Sequence, residues 1–264
     1  MPELAEVAFH SKAWLPAIGD VIEEVLFNAD KRCCKSLVAE RIQSDLVGES
    51  LEELHTHGKR MLFKFSGQCC LSVHLGMTGS LHCSSLPLSR SKFDHFTFCT
   101  KEGGFIFRDP RQFGKVELFV GEEIPEWWRL LPPEVLDLMF NFELFESYCE
   151  RRKRRPLKAF LLLQECFPGV GNWMADEILW QSRLKPNRLV SALSSEERLQ
   201  LFNSLKAVCR GAMDTVGVDY SDPPESWLFR HRWKPGGNCP QTGDPLARET
   251  IGGRTTCWSP SWQA

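Results

Sequence analysis

A chain of 264 residues with 42% hydrophobic and 25% charged residues has the composition of a globular protein, with room for two ordinary domains or one large one. Its 32 Lys+Arg against 34 Asp+Glu give a formal net charge of −2, which excludes a uniformly basic nucleic-acid protein and leaves that role only to a local basic face. The N-terminus lacks the basic and apolar regions of a secretory signal, and no apolar run approaches a membrane helix, so a cytoplasmic monomer with its 11 cysteines reduced is expected (nucleoid-associated in a bacterium, nuclear in a eukaryote).

The chain opens with a helical stretch from Leu4 to Trp14, punctuated by Pro16 and Gly19. Strand signals follow at Met61–Phe65, Cys70–Leu75, His95–Cys99, Phe105–Phe107 and Lys115–Val120, with Gly103-Gly104 marking a hairpin. Short strands at this spacing predict an antiparallel sandwich or barrel. The character changes between Gly121 and Pro133, and helical periodicity takes over. Leu157, Phe160, Leu161 and Gln164 define one helix behind Pro156; Asn172 is placed to cap a second, Trp173–Gln181; Ser194 or Ser195 caps a third, reaching Met213. The tail carries two strand-like pieces, Leu246–Ile251 and Thr255–Trp258, around Gly252-Gly253.

Several of these residues carry chemistry. The α-amine of Pro2, exposed if Met1 is removed, has an ordinary pKa close to neutrality and can act as a nucleophile. Being secondary, it forms an adduct at a sugar C1′ that stays cationic as an iminium, an electron sink for β-elimination. Glu3 and Glu6 flank it and can divide acid and base work; equally, they suit the start of any helix. The Phe167–Asn172 loop joins two helices with glycines that admit a phosphate to the backbone, or simply make a tight turn. Arg151–Arg155 is a basic run suited to phosphate contact or to a solvated face. In the tail, Cys239-Pro-Gln-Thr242 and Ser259-Pro-Ser-Trp262 have the form of two C-x-x-C half-sites with one thiol left. Cys257 and His231 could join Cys239, but their spacing fits no standard zinc site, so no metal and no cofactor is expected.

Six motifs, in order along the whole chain, resemble those of the formamidopyrimidine-DNA glycosylase / endonuclease VIII family. They are Pro2-Glu-Leu-Ala-Glu-Val7, Gly58-Lys59 with Leu62-Phe63, His74-Leu-Gly-Met-Thr-Gly79, Asp109-Pro-Arg-Gln-Phe-Gly114, Gly169-Val-Gly-Asn172 and Ile251-Gly-Gly-Arg-Thr255. The resemblance implies Pro2 as nucleophile, Glu3 as general acid or proton shuttle, Glu6 as its companion, and Lys59 as a phosphate-contacting lysine that assists the chemistry. It implies Met77, Arg111 and Phe113 as the wedge that fills the gap left by an everted base. His74, Asn172 and Arg254 are implied as phosphate clamps, Arg254 also serving the catalytic site, with Lys158 adding charge nearby.

The departures are Ala5 for a proline, Gln112 for the second arginine of D-P-R-R-F-G, and a finger of the zincless kind. The short Val216–Trp227 stretch implies weak activity on 8-oxoguanine beside formamidopyrimidines, hydantoins or oxidised pyrimidines. The expected fold class is α+β: an N-terminal antiparallel β-sandwich with flanking helices (1–125), a helical helix-two-turn-helix domain (126–232) and a zincless β-hairpin finger (233–264). The expected function is a bifunctional DNA glycosylase and abasic-site lyase acting on double-stranded DNA with oxidised bases or abasic sites. The alternative is a non-catalytic damaged-DNA-binding protein of the same fold; a zinc or redox protein built on the cysteines is a third reading.

Overall fold

A computed structural model describes residues 1–121 and 123–264. The chain divides into two compact units: Met1–Pro2 with Glu6–Leu131, and Glu3–Ala5 with Pro132–Ala264.

The first unit holds α1 (Leu4–Ser11, entering it at Glu6), β1 (Glu24–Phe27), α2 (Ala39–Asp45), β2 (Leu51–His57), β3 (Arg60–Phe65), β4 (Cys69–His74), β5 (Ser80–Ser84), β6 (Asp94–Cys99), β7 (Gly104–Arg108), β8 (Lys115–Val120) and the short α3 (Glu126–Arg129). The strands form two antiparallel four-stranded sheets, ordered β1-β6-β7-β5 and β2-β3-β4-β8. Their aromatic faces meet around Trp14, whose ring lies 4.5 Å from Phe63 of one sheet and 5.0 Å from Phe98 of the other. This is the expected sandwich. Trp14 itself is not in α1. The helix stops at Ser11 and tightens into a 3-10 turn, Lys12–Ala17, because Pro16 supplies no N–H.

Strands β1, β2 and β5, silent in the sequence, are edge strands. Only Leu51 of β2 and Leu81 of β5 are buried, so neither strand carries the apolar run that marks the inner strands β4 and β6.

The second unit is helical: α4 (Phe142–Arg151), α5 (Leu157–Leu161), α6 (Asn172–Gln181), α7 (Ser195–Asp214) and α8 (Val216–Asp219), followed by a hairpin of β9 (Ala247–Ile251) and β10 (Arg254–Trp258). Phe145, Phe160 and Phe167 anchor its core, with the last two rings edge to face at 4.9 Å. Ser194 caps α7 in a reciprocal box with Glu197, whose carboxylate also takes a two-pronged bond from Arg188 at 2.6 Å. Gln164 lies beyond the end of α5. Its side chain donates to Val170 O at 2.9 Å and accepts from Gly169 N at 3.2 Å, closing the loop into α6. Among the described residues no helix is long and apolar enough to cross a membrane.

All eleven cysteines are free thiols and ten are buried, which suits small apolar side chains and not a disulfide framework.

Candidate functional site

Two loops of the first unit carry Met77, Arg111 and Phe113, the residues expected as a wedge. The turn after β4 has Gly76 at φ 66°, and a Cβ there would run into the backbone of Phe113 and Gly114. Glycine therefore lets the Leu75–Gly79 turn lie directly on the Asp109–Gly114 loop. Asp109, fully buried, ties the two together. Its carboxylate accepts from Thr78 Oγ1 at 2.7 Å, Arg111 N at 3.2 Å and Gly114 N at 2.7 Å. Met77, Arg111 and Phe113 project from this frame into solvent, with the Arg111 guanidinium 4.9 Å from the Phe113 ring centre. Asp109 and Thr78, which hold this frame, were not singled out in the sequence. Both stand inside the motifs, but a framing carboxylate leaves no sequence signal beyond its presence there.

His74 ends β4 and accepts the Gly76 N–H on Nδ1 at 3.0 Å, which leaves its proton on Nε2 as a donor. Burial, with help from the positive charges of Arg60 and Lys59, lowers its pKa, so the ring is neutral near pH 7. Lys59 occupies the two-residue turn between β2 and β3, behind Gly58 at φ 56°. Pro2 and Glu6, both half-buried, belong to this unit as well, Glu6 in the first turn of α1.

Glu3 belongs to the second unit. Its buried carboxylate accepts three backbone N–H groups at the start of α6: Gly171 at 2.9 Å, Trp173 at 2.9 Å and Met174 at 3.1 Å. These are donors that a helix end leaves open, so Glu3 caps α6 from a remote part of the chain. A Cβ at Gly171 would overlap that carboxyl group. The sequence expectation that Asn172 caps α6 is thereby corrected. Gly171 is the N-cap, and Asn172 Nδ2 instead donates to Thr255 O at 2.9 Å, beside Arg254. Gly252 and Gly253, at φ 59° and 75°, make the tight turn between β9 and β10, and Arg254 follows it, exposed.

Lys158 is the second correction. It was expected to add charge for DNA, but it is fully buried. Its ammonium donates to Asp176 Oδ1 at 2.5 Å and to Asn172 O at 2.6 Å. Arg232 grips the other oxygen of Asp176 at 2.5 and 3.1 Å, and Cys257 N donates to that same oxygen at 3.0 Å. Burial lowers the pKa of Lys158, against the pull of Asp176. A group enclosed in this way cannot reach a phosphate; it braces α6 and β10 from inside. The basic run Arg151–Arg155 is largely exposed and partly paired, Lys153 with Glu150 at 2.6 Å and Arg152 with Glu165 at 3.6 Å.

The family's finger implies zinc, and the residues present do not fit it. Zinc would need four Cys or His ligands where Cys239, Thr242, Ser259 and Trp262 stand. These positions are engaged in hydrogen bonds of their own. Trp180 Nε1 donates to Cys239 Sγ at 3.4 Å, Trp262 Nε1 donates to Trp180 O at 3.1 Å, and the Ser261 hydroxyl lies 3.0 Å from that of Thr242 and 3.3 Å from that of Ser259. Burial raises the Cys239 pKa, but hydrogen bonds from Ser259, Trp180 and the backbone outweigh it and bring the thiol down to about 7. The Arg183 guanidinium stacks 3.9 Å from the Trp262 ring centre. Among the described residues no group of three or more His, Cys, Asp or Glu could hold a metal ion.

Comparison with known proteins agrees with this organisation. Residues 1–116 match the formamidopyrimidine-DNA glycosylase N-terminal domain, and residues 131–222 match the H2TH domain of the same enzymes. Formamidopyrimidine-DNA glycosylase of Thermus thermophilus is 33% identical, over 100% of this chain and 98% of its own. The enzyme of that name from Arabidopsis thaliana is 29% identical over 100% of this chain and 71% of its own. Among solved structures, MutM in complex with DNA containing carbocyclic 8-oxo-G has a TM-score of 0.86 at 24% identity. The Lactococcus lactis enzyme bound to DNA with an abasic site has the same score and identity, and each alignment covers 99% of both chains.

Proposed function

The chain belongs to the formamidopyrimidine-DNA glycosylase family, and from that premise we propose that this DNA glycosylase of base excision repair also nicks the strand it has cleared, with Pro2 as nucleophile. Once Met1 is removed, the neutral secondary amine attacks C1′ of the damaged nucleotide. The glycosidic bond breaks, and the base leaves with its electron pair and takes up a proton. Opening of the sugar ring, with a proton delivered to O4′, leaves a C1′ iminium on Pro2. The iminium draws electrons when the C2′ proton is removed, and the 3′ phosphate departs. Water then hydrolyses the adduct and returns the amine.

Glu3 and Glu6 are the groups proposed to move these protons, and Lys59 to hold the phosphate and assist. Met77, Arg111 and Phe113 would fill the stack after the base is everted, with eversion costing a few kcal/mol. His74, through Nε2–H, Asn172 and Arg254 would hold the backbone without reading sequence. The observation that carries the reading is the three-amide grip on Glu3. It fixes the residue next to the nucleophile, and the same helix start carries Asn172, which is bonded to the strand of Arg254.

Incubating the protein with an abasic-site duplex and borohydride tests it. The expected product is a covalent adduct whose peptide map ends on Pro2. An adduct on any other residue, or an active protein that keeps Met1, overturns the assignment. Tight binding with neither adduct nor cleavage would mark a damage-binding protein instead.

A further inference from the structure

Phe113 of the proposed wedge is exposed, at 43%, and a lone phenyl ring in water has little to hold it in one orientation. A second cation lies over it. The Arg32 guanidinium sits 5.6 Å from the ring centre, in addition to Arg111 at 4.9 Å. The Asp109–Gly114 loop carries one arginine where D-P-R-R-F-G has two, with Gln112 held at φ 55° in the second place. Arg32 comes from a distant segment and places a second guanidinium at the aromatic.

The placement of Arg32 is built in. It opens the 3-10 turn Arg32–Cys34, whose next two residues are buried thiols with no part in the proposed chemistry. Cys34 Sγ donates to His95 O at 3.4 Å, and His95 Nε2 lies 2.8 Å from Asp109 O. Just beyond the turn, Ser36 Oγ donates to Val116 O at 2.9 Å. The turn is therefore pinned to the same frame that carries the wedge loop.

We propose that Arg32 is a positioning residue for the wedge, holding the Phe113 ring at its exposed station so that it can enter the stack as the damaged base leaves. This rests on the wedge reading under Proposed function. A guanidinium suits the task because it is planar and weakly hydrated, and it can lie on an aromatic face while still facing solvent.

The test follows base eversion by the fluorescence of 2-aminopurine placed beside a lesion in a duplex. Cleavage of an abasic site in single-stranded DNA, where no stack is opened, is measured in parallel. Arg32→Ala should slow eversion roughly two- to fivefold, the size of an exposed cation–π contact, and Arg32→Lys should recover part of that rate. Single-strand cleavage should not change. Adding Arg32→Ala to Phe113→Ala should cost nothing further. Unchanged eversion in Arg32→Ala, an equal loss on single-stranded DNA, or losses that multiply in the double variant would each overturn the inference. If Phe113→Ala itself leaves eversion untouched, the wedge reading fails and this inference falls with it. Phe113-sensitive, Arg32-insensitive eversion sinks the Arg32 role alone.

Discussion

Asp109 in the first unit and Asp176 in the second each organise a presenting region, and they do so in opposite ways. Asp109 collects neutral donors only, one hydroxyl and two backbone amides, and so locks two loops together. Asp176 collects two buried cations and one amide, and so locks a helix to the finger hairpin. The first arrangement spreads the charge of one carboxylate over backbone dipoles. The second concentrates charge, because Lys158, Arg232 and Asp176 bring two formal positives against one negative into a site the solvent does not reach. A loop frame can be made from local donors. A hairpin whose finger positions offer no zinc ligand set needs a stronger tie to the helix it serves.

The largest expected effect follows from that contrast. Asp176→Ala strands two buried cations and should cost about 3–5 kcal/mol of stability in urea unfolding. Asp109→Ala leaves neutral donors unpaired and should cost about 1–3 kcal/mol. Equal losses would break the comparison. Pairing Asp176→Leu with Lys158→Met, which removes a buried charge of each sign, should recover part of the deficit and sharpen it.

A pH effect of comparable size lies beside the same hub. Glu177 is fully buried, accepting from Gln181 Nε2 at 2.9 Å and Phe229 N at 3.1 Å. Burial pushes its pKa from 4.5 up to about 8, against those hydrogen bonds. The folded state therefore holds a proton that the unfolded chain has already released. Its stabilising contribution is complete below pH 4.5 and is lost as pH rises to about 8. Between those limits the loss approaches about 1.4 kcal/mol per pH unit. Glu177→Gln keeps the shape without the titration, so its stability should gain on the wild type steadily from pH 5 to pH 8. Parallel pH profiles for the two proteins would show that Glu177 is ionised in the fold.

Much of this was legible in the sequence, and the failures have physical causes. The inner strands β3, β4, β6 and β7 show as apolar runs because burial demands them; of the edge strands, β8 shows through its own apolar residues Val116 and Leu118–Val120, whereas β1, β2 and β5 do not. Met77, Arg111, Phe113 and Arg254 were singled out from motifs, and the structure exposes all four, at or beside tight, glycine-dependent turns. Lys158 was misjudged because a lysine behind a helix-starting proline ordinarily faces water. Its burial depends on Asp176, 18 residues on, and on Arg232, which lies 56 residues beyond that. Arg32 was missed for the same reason: its partner is brought to it by the fold, and no local pattern announces the contact.

The smallest expected effect concerns the finger, where removing metal should do nothing. The hairpin is ordered by what replaces the thiols. Trp262 stacks under Arg183 and hydrogen-bonds Trp180 O, Cys239 receives the Trp180 N–H, and Gln263 bridges Ser259 N and Leu184 O at 2.8 Å each. Trp262 is only partly buried, so Trp262→Ala should cost roughly 1–2 kcal/mol, less than the truncation of a core tryptophan. Strand cleavage should fall with it, because the same segment continues from the strand of Arg254. Chelator should leave both the melting temperature and the cleavage rate of the wild type where they were. A structural zinc contributes folding energy outright, so one hidden here would reveal itself as a fall in melting temperature under EDTA and its return on adding zinc. Stoichiometric zinc in the purified protein would place the ordering of the finger on metal and refute its ordering by tryptophan and hydroxyl contacts.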